Sequence, residues 1–272
     1  MKKIGGKKEQ VESNDLVQME GSGKRDNIPK GPDLPFLSDP KNGENFNKHL
    51  ASLWEPYSAA SEQYRKLRTH LLDASKTDGK RVFLVSSAIR GEGKTLTAIN
   101  LAISIASGLH ETALLIDADL RSPNVSHTLG LKKDIKGLGE YLTCGGNLAD
   151  FITRTAIPKL SIITAGLPIR NPFEMLSSKY MSDLIREVKY RYDNRYVIVD
   201  APPLIPVTDP VALSSLVDGI IIVVRASATQ REIVSDAINK IENKEKILGI
   251  VLNGCQSIMP KYSYYYSSDH HK

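Results

Sequence analysis

From residue 81 onward the chain alternates short β-branched and aliphatic runs with segments whose apolar positions recur every three or four residues. The runs "RVFLVSS", "TALLIDAD", "LSIITAG", "RYVIVDA", "GIIIVVRA" and "ILGIVLN" predict strands. Several of them are apolar at successive positions, the pattern of a strand buried on both faces. Between them lie amphipathic stretches near 94–107, 177–191, 209–216 and 230–242, which predict helices. This alternation implies right-handed crossovers, and so an α/β fold with a mostly parallel sheet flanked by helices. Upstream, "YSAASEQYRKLRTHLLDAS" at 57–75 predicts a further helix with Leu67, Leu71 and Leu72 turned inward. Residues 1–50 mix charged residues, glycine, asparagine and proline with few large apolar side chains, so a disordered or loosely attached extension is expected there. The expected division is an extension at 1–50, a folded domain at 51–256 and a flexible tail at 257–272.

Composition agrees with that division. A 272-residue chain, 41% hydrophobic and 25% charged, has room for one large α/β domain plus tails. A net charge of +5 permits attraction to an acidic partner without requiring one. The opening "MKKIGGKKEQ" is basic but lacks the apolar stretch of a secretory signal. The longest apolar candidate, "LTAINLAISIASGL", is interrupted by polar residues, so no membrane span is expected. Cys144 and Cys255 lack metal-ligand or redox spacing, which points to reduced thiols in a cytosolic protein.

The first predicted strand runs directly into "SSAIRGEGKTLTAINLA". Glycines at 91 and 93 let successive backbone N–H groups turn into one concavity, and the helix that follows adds its positive end. That concavity fits a polyphosphate lined by Gly91, Glu92, Gly93, Lys94, Thr95 and Leu96. Lys94 would reach the β- and γ-phosphates, and the Thr95 hydroxyl would bind Mg²⁺. Ala88 stands where the usual loop pattern begins with glycine. Two later strands end in "LLIDAD" and "YVIVDA", which places Asp117, Asp119 and Asp200 at the carboxyl rim where open parallel sheets bind ligands. Three acids there would repel ATP unless a metal intervened, and Mg²⁺ held by Thr95 and Asp200 resolves the conflict.

The blocks "EQYRKLRTHL", "SSAIRGEGKT", "LLIDADLRSP", "TAGLPIRNPFEMLSS" and "YVIVDAPPL", with a tyrosine-rich end, resemble the bacterial tyrosine kinases (BY-kinases) over residues 57–269. These are P-loop autokinases associated with capsule and exopolysaccharide assembly. The resemblance implies a P-loop NTPase fold of the deviant Walker type and the cofactors ATP and Mg²⁺. It also implies a catalytic set of Lys94, Asp117, Asp119 and Asp200, with Thr95, Asp117 and Asp200 around the metal. Asn253 is similar to the asparagine that reads adenine in related folds. Glu62, Arg65 and Arg68, spaced by three on one helix face, look like the subunit contact of a ring, which implies a homo-oligomer with transfer between subunits. Many relatives are fused to a membrane polysaccharide co-polymerase. Without that part, the resemblance implies a separate membrane activator, a cognate tyrosine phosphatase, no nucleic-acid partner, and a cytoplasmic location recruited to the membrane. The rival is a ParA/MinD-like cargo-positioning ATPase. Its signature lysine, at the position two residues before Gly91, is replaced here by Ile89.

The tail then acquires a reason. Four of the 11 tyrosines, Tyr262, Tyr264, Tyr265 and Tyr266, fall within "PKYSYYYSS". A half-buried strand or a membrane-surface anchor would need aliphatic support, and serines, a proline and charges surround the rings instead. They are the expected phosphate acceptors. A phenol of pKa about 10 does not yield its proton readily to a carboxylate of about 3.9, so Asp117 is expected to take the proton late, as the oxygen bonds to phosphorus.

Overall fold

The computed structural model describes residues 49–255 apart from 132–134, 156 and 192. The tail tyrosines and the first 48 residues lie outside the described residues. Seven strands form one sheet: β1 Val82–Ser87, β2 Thr112–Asp117, β3 Thr153–Arg154, β4 Leu160–Ile163, β5 Arg195–Asp200, β6 Gly219–Arg225 and β7 Ile247–Asn253. Their order is β3-β4-β2-β5-β1-β6-β7. Every pairing is parallel except that of β3 with β4, so six of the seven strands match those expected from the apolar runs.

The continuous runs arise because both faces are covered. Phe83, Val85, Leu115, Ile198, Ile221 and Val223 pack on one face against helix α3, Lys94–Ala106. All of α3 is buried except Lys94 and Leu96. Leu84, Leu114, Ile116, Val197, Val199 and Ile222 alternate with them toward the other face. Helices α7 Lys179–Tyr190, α8 Asp209–Leu216 and α9 Arg231–Asn239 contribute to the core there. Two-sided burial removes the period-two signal that a half-exposed strand would show.

The upstream helix runs from Ala59 to Asp78, longer than the pattern indicated. The Ser58 hydroxyl accepts from Ser61 N at its start, and Gly79 at φ 66° closes its end in the left-handed conformation. As expected, Leu71 is buried, and Leu67 and Leu72 pack against the α3 layer. The short helix Pro172–Leu176 begins directly after Asn171, with proline at its first position. No helix among the described residues is long and apolar enough to cross a membrane.

Candidate active site

Strand register builds the site. β2 and β5 lie side by side and pair Asp117 with Asp200, so their last residues present carboxylates next to each other at the carboxyl rim. β1 lies on the other side of β5 and leads into the phosphate loop. The loop turns through Gly91 at φ 84° and Gly93 at φ 91°, backbone conformations that favour glycine. A Cβ at Gly93 would also collide with the side chain of Asn253. The first residues of α3 then present Lys94 and Thr95 to the acids.

Lys94 Nζ lies 2.7 Å from Asp119 Oδ2 and 3.7 Å from Asp200 Oδ1. Burial opposes its charge most strongly, yet Asp200 and Asp119 together hold the ammonium above its ordinary pKa. The two strand-end aspartates have no exposed surface. Burial foremost, then the charge of Asp200, pushes Asp117 up to about 8. Burial likewise raises Asp200, against the pull of Lys94 and Thr95. Protons lost from this pair are shared between two neighbours, so they titrate as one unit.

The two carboxylates nevertheless have different surroundings. Asp117 Oδ1 accepts from Asp119 N at 3.3 Å, and Oδ2 accepts from Asn124 N at 3.2 Å and Val125 N at 3.1 Å. Its orientation is fixed by three backbone donors, one in the turn after β2 and two at the entry to α4, Val125–Thr128. Neither oxygen of Asp200 has a well-formed hydrogen bond, although both are buried. Two orphaned anionic oxygens beside a threonine hydroxyl form a hard-oxygen donor set that fits Mg²⁺. Among the candidate ligands, the geometry therefore favours Asp200 with Thr95 for direct contact, and leaves Asp117 as an oriented neighbour.

A sign follows for stability. Raised carboxyl pKa values contribute stability that is present below the unfolded value of about 3.9 and is lost as pH rises through the folded values. Asp200→Asn is therefore expected to stabilise the nucleotide-free protein near pH 8 by about 2 kcal/mol and to reduce the fall in Tm between pH 5 and pH 8. Thermal unfolding across that range checks it. A wild-type Tm that rises toward pH 8, or an unchanged slope in the variant, would count against it.

Asn253 occupies the end of β7 beside the loop, and its Nδ2 donates to the Glu92 carbonyl at 2.8 Å. The Glu62–Arg65–Arg68 stripe does not stand free as a unit. Arg65 Nε donates to Glu62 at 2.8 Å within the helix, whereas Arg68 Nη1 crosses to the Ser104 carbonyl of α3 at 2.7 Å. Thus Glu62 and Arg65 remain at the surface, and Arg68 clamps the two helices.

Two connections were not read from the sequence. Arg121 makes a two-pronged ion pair with buried Asp209, at 2.6 and 3.0 Å, tying the loop after β2 to the start of α8. Glu92, only 1% exposed, ties the phosphate loop to the end of β6. The arginine in "DADLRSP" and the Asp-Pro start of α8 were visible individually, but only tertiary structure pairs residues 88 positions apart.

Residues 80–252 match the AAA domain family. The tyrosine-protein kinase YwqD of Bacillus subtilis (strain 168) is 35% identical over 229 residues, covering 84% of this chain and 95% of that protein. The solved kinase domain of the Escherichia coli tyrosine kinase ETK superposes with a TM-score of 0.71 at 31% identity, covering 79% of this chain and 84% of that one. The septum site-determining protein MinD from Pyrococcus horikoshii OT3, at 22% identity and a TM-score of 0.53, shares the fold alone. With the phosphate loop, paired strand-end aspartates and extended kinase similarity on one domain, the chain belongs to the bacterial tyrosine-protein kinase family.

Proposed function

We propose that the protein is a Mg²⁺-dependent autokinase that transfers the γ-phosphate of ATP to the tyrosines at its own carboxyl end, between subunits of a homo-oligomer. One observation carries the tail assignment: Asn253, at the root of the tail, is hydrogen-bonded to the phosphate loop. Tyr262 to Tyr266 follow 9 to 13 residues later in the sequence, a reach of at most about 30 to 47 Å. That length of chain would let the phenols reach the nucleotide of their own subunit or of a neighbour. Glu62 is exposed and its ion-pair partner Arg65 is half-buried at the surface, where the pair can serve a subunit contact.

The turned loop would hold the phosphates with its backbone donors, and Lys94, still paired with Asp119, would neutralise their charge. Thr95 and Asp200 would hold Mg²⁺, which screens phosphate charge when bound. Asp119, at 2.7 Å from Lys94, keeps the ammonium on the reaction side. In the transfer, the tyrosine oxygen bonds to the γ-phosphorus as the bond to the bridging oxygen of ADP breaks. The phenolic proton passes to the Asp117 carboxylate. The raised pKa of that group brings it nearer to the phenol's value of about 10 than an ordinary aspartate would be.

Ile89 in place of the signature lysine, together with the tyrosine tail, disfavours a cargo-positioning ATPase. By analogy with kinases of capsule and exopolysaccharide assembly, the activity regulates polysaccharide synthesis at the inner membrane face. A membrane co-polymerase would activate it and a tyrosine phosphatase would reset it. Incubation with γ-labelled ATP and Mg²⁺ tests the central step. Label should appear on tyrosine and vanish when Tyr262, Tyr264, Tyr265 and Tyr266 are changed together to phenylalanine. Release of free phosphate with no protein label would favour the ATPase reading.

A further inference from the structure

The phosphate loop is fastened from the side by one buried carboxylate. Glu92 Oε2 accepts from Ile89 N within the loop at 2.8 Å. Its Oε1 accepts from Arg225 N at 3.2 Å and from the Thr229 hydroxyl at 2.6 Å. All three donors come from the protein itself, so this side chain is not directed at a ligand. Its function is to join two segments that are far apart in the sequence.

The second segment is a tight turn. Ala228 N and Thr229 N both donate to the Arg225 carbonyl, at 3.4 and 3.3 Å. Ser227 sits at φ 58°, a left-handed conformation unusual for a side-chain-bearing residue. That conformation reverses the chain between the end of β6 and the start of α9, and brings the Thr229 hydroxyl to Glu92. Two further bonds close a ring around the same point: Ala226 N donates to the Asn253 carbonyl at 2.8 Å, and Asn253 Nδ2 donates to the Glu92 carbonyl at 2.8 Å. The ends of β6 and β7 and the phosphate loop therefore hold one another in place.

We propose that Thr229, acting through Glu92, is a positioning residue for ATP. The turn Arg225–Thr229 holds the phosphate loop in the form whose backbone donors meet the phosphates. A carboxylate that loses its shortest donor keeps only the longer bond from Arg225 N on that oxygen and is held less firmly, and the loop bond to Ile89 N depends on the same group. Released from the turn, the loop would sample shapes in which its N–H groups diverge, and affinity falls by the fraction of time spent there. Chemistry after binding is little affected, because Lys94, Asp117 and Asp200 stand on α3, β2 and β5, none of which belongs to the turn.

This inference rests on the site taking ATP, and one set of measurements separates the two. Thr229→Val keeps the volume and removes the hydroxyl donor; Thr229→Ser restores it. With Mg-ATP, the valine variant is expected to show a KM for autophosphorylation and a Kd by equilibrium dialysis about tenfold above wild type, with kcat changed less than about threefold. The serine variant should return both constants to within about twofold of wild type. A merely structural role would instead lower Tm and the active fraction at unchanged KM and Kd, and that result overturns the proposal. So does a folded serine variant that behaves like valine. Should wild-type protein bind no Mg-ATP, the nucleotide reading itself fails.

Discussion

Lys94→Met is expected to lower phosphate transfer to tyrosine by at least about three orders of magnitude. Methionine preserves the length and most of the packing of the stem but removes the charge that neutralises the phosphates. The electrostatic consequence extends beyond the nucleotide. Lys94 is the cation between Asp119 and Asp200, and without it the neighbouring carboxylates lose their principal compensation. Removing one partner of a buried ion pair costs about 3–5 kcal/mol unless a proton neutralises what is left. The variant should therefore unfold at a lower temperature than wild type near pH 8 and recover much of the difference near pH 5, where protons replace the ammonium. Intact mass after expression in bacteria reads the activity directly: wild type should show successive steps of about 80 Da, and the variant a single species. A full ladder in a well-folded Lys94→Met protein would show that the phosphate source lies outside this loop.

The same contrast between local and distant information explains what the sequence revealed. The phosphate loop was legible because its function is written in consecutive residues, from Gly91 to Thr95, between a recognisable strand and helix. The core strands were legible because burial on both faces leaves unbroken apolar runs, as in "GIIIVVR" at β6. Strand β3, only two residues long and antiparallel, is too short to carry a period. Helices of four residues such as Val125–Thr128 depend on tertiary contacts, in that case on Asp117 accepting from their first donors. The aspartates were correctly placed at strand ends, but their inequality was not visible. Sequence gives Asp117 and Asp200 the same chemistry, whereas backbone donors surround one and leave the other unsatisfied. Glu92 shows the limit most clearly: the sequence places it only in the phosphate-binding loop, yet its shortest bond joins it to a threonine 137 positions away.

Asp117→Asn is expected to reduce kcat for tail phosphorylation by about 10²–10⁴-fold with a much smaller change in KM for ATP. An amide cannot accept the phenolic proton, so the tyrosine oxygen would have to bond to phosphorus while still carrying it, or surrender it to water. The substitution has a second effect. One oxygen becomes an NH₂ group that faces either the Asp119 N–H or the N–H groups of Asn124 and Val125, so a donor meets a donor and the turn that leads into α4 is loosened. The pH dependence separates the two effects. A proton acceptor must be ionised, so activity that depends on Asp117 falls as pH drops through its pKa, raised to about 8 in the nucleotide-free protein and drawn down when cations enter the site. Wild type should therefore show a limb of kcat against pH at or below about pH 8, and the asparagine variant should lose that limb along with most of its rate. If loosened structure alone were responsible, the residual activity would keep the wild-type limb at reduced amplitude. Retention of both the rate and the limb would move the acceptor role to another group. Asp119 is poorly suited to that role while it holds Lys94 at 2.7 Å, because a proton arriving on its carboxylate would break the ion pair that keeps the ammonium beside the phosphates.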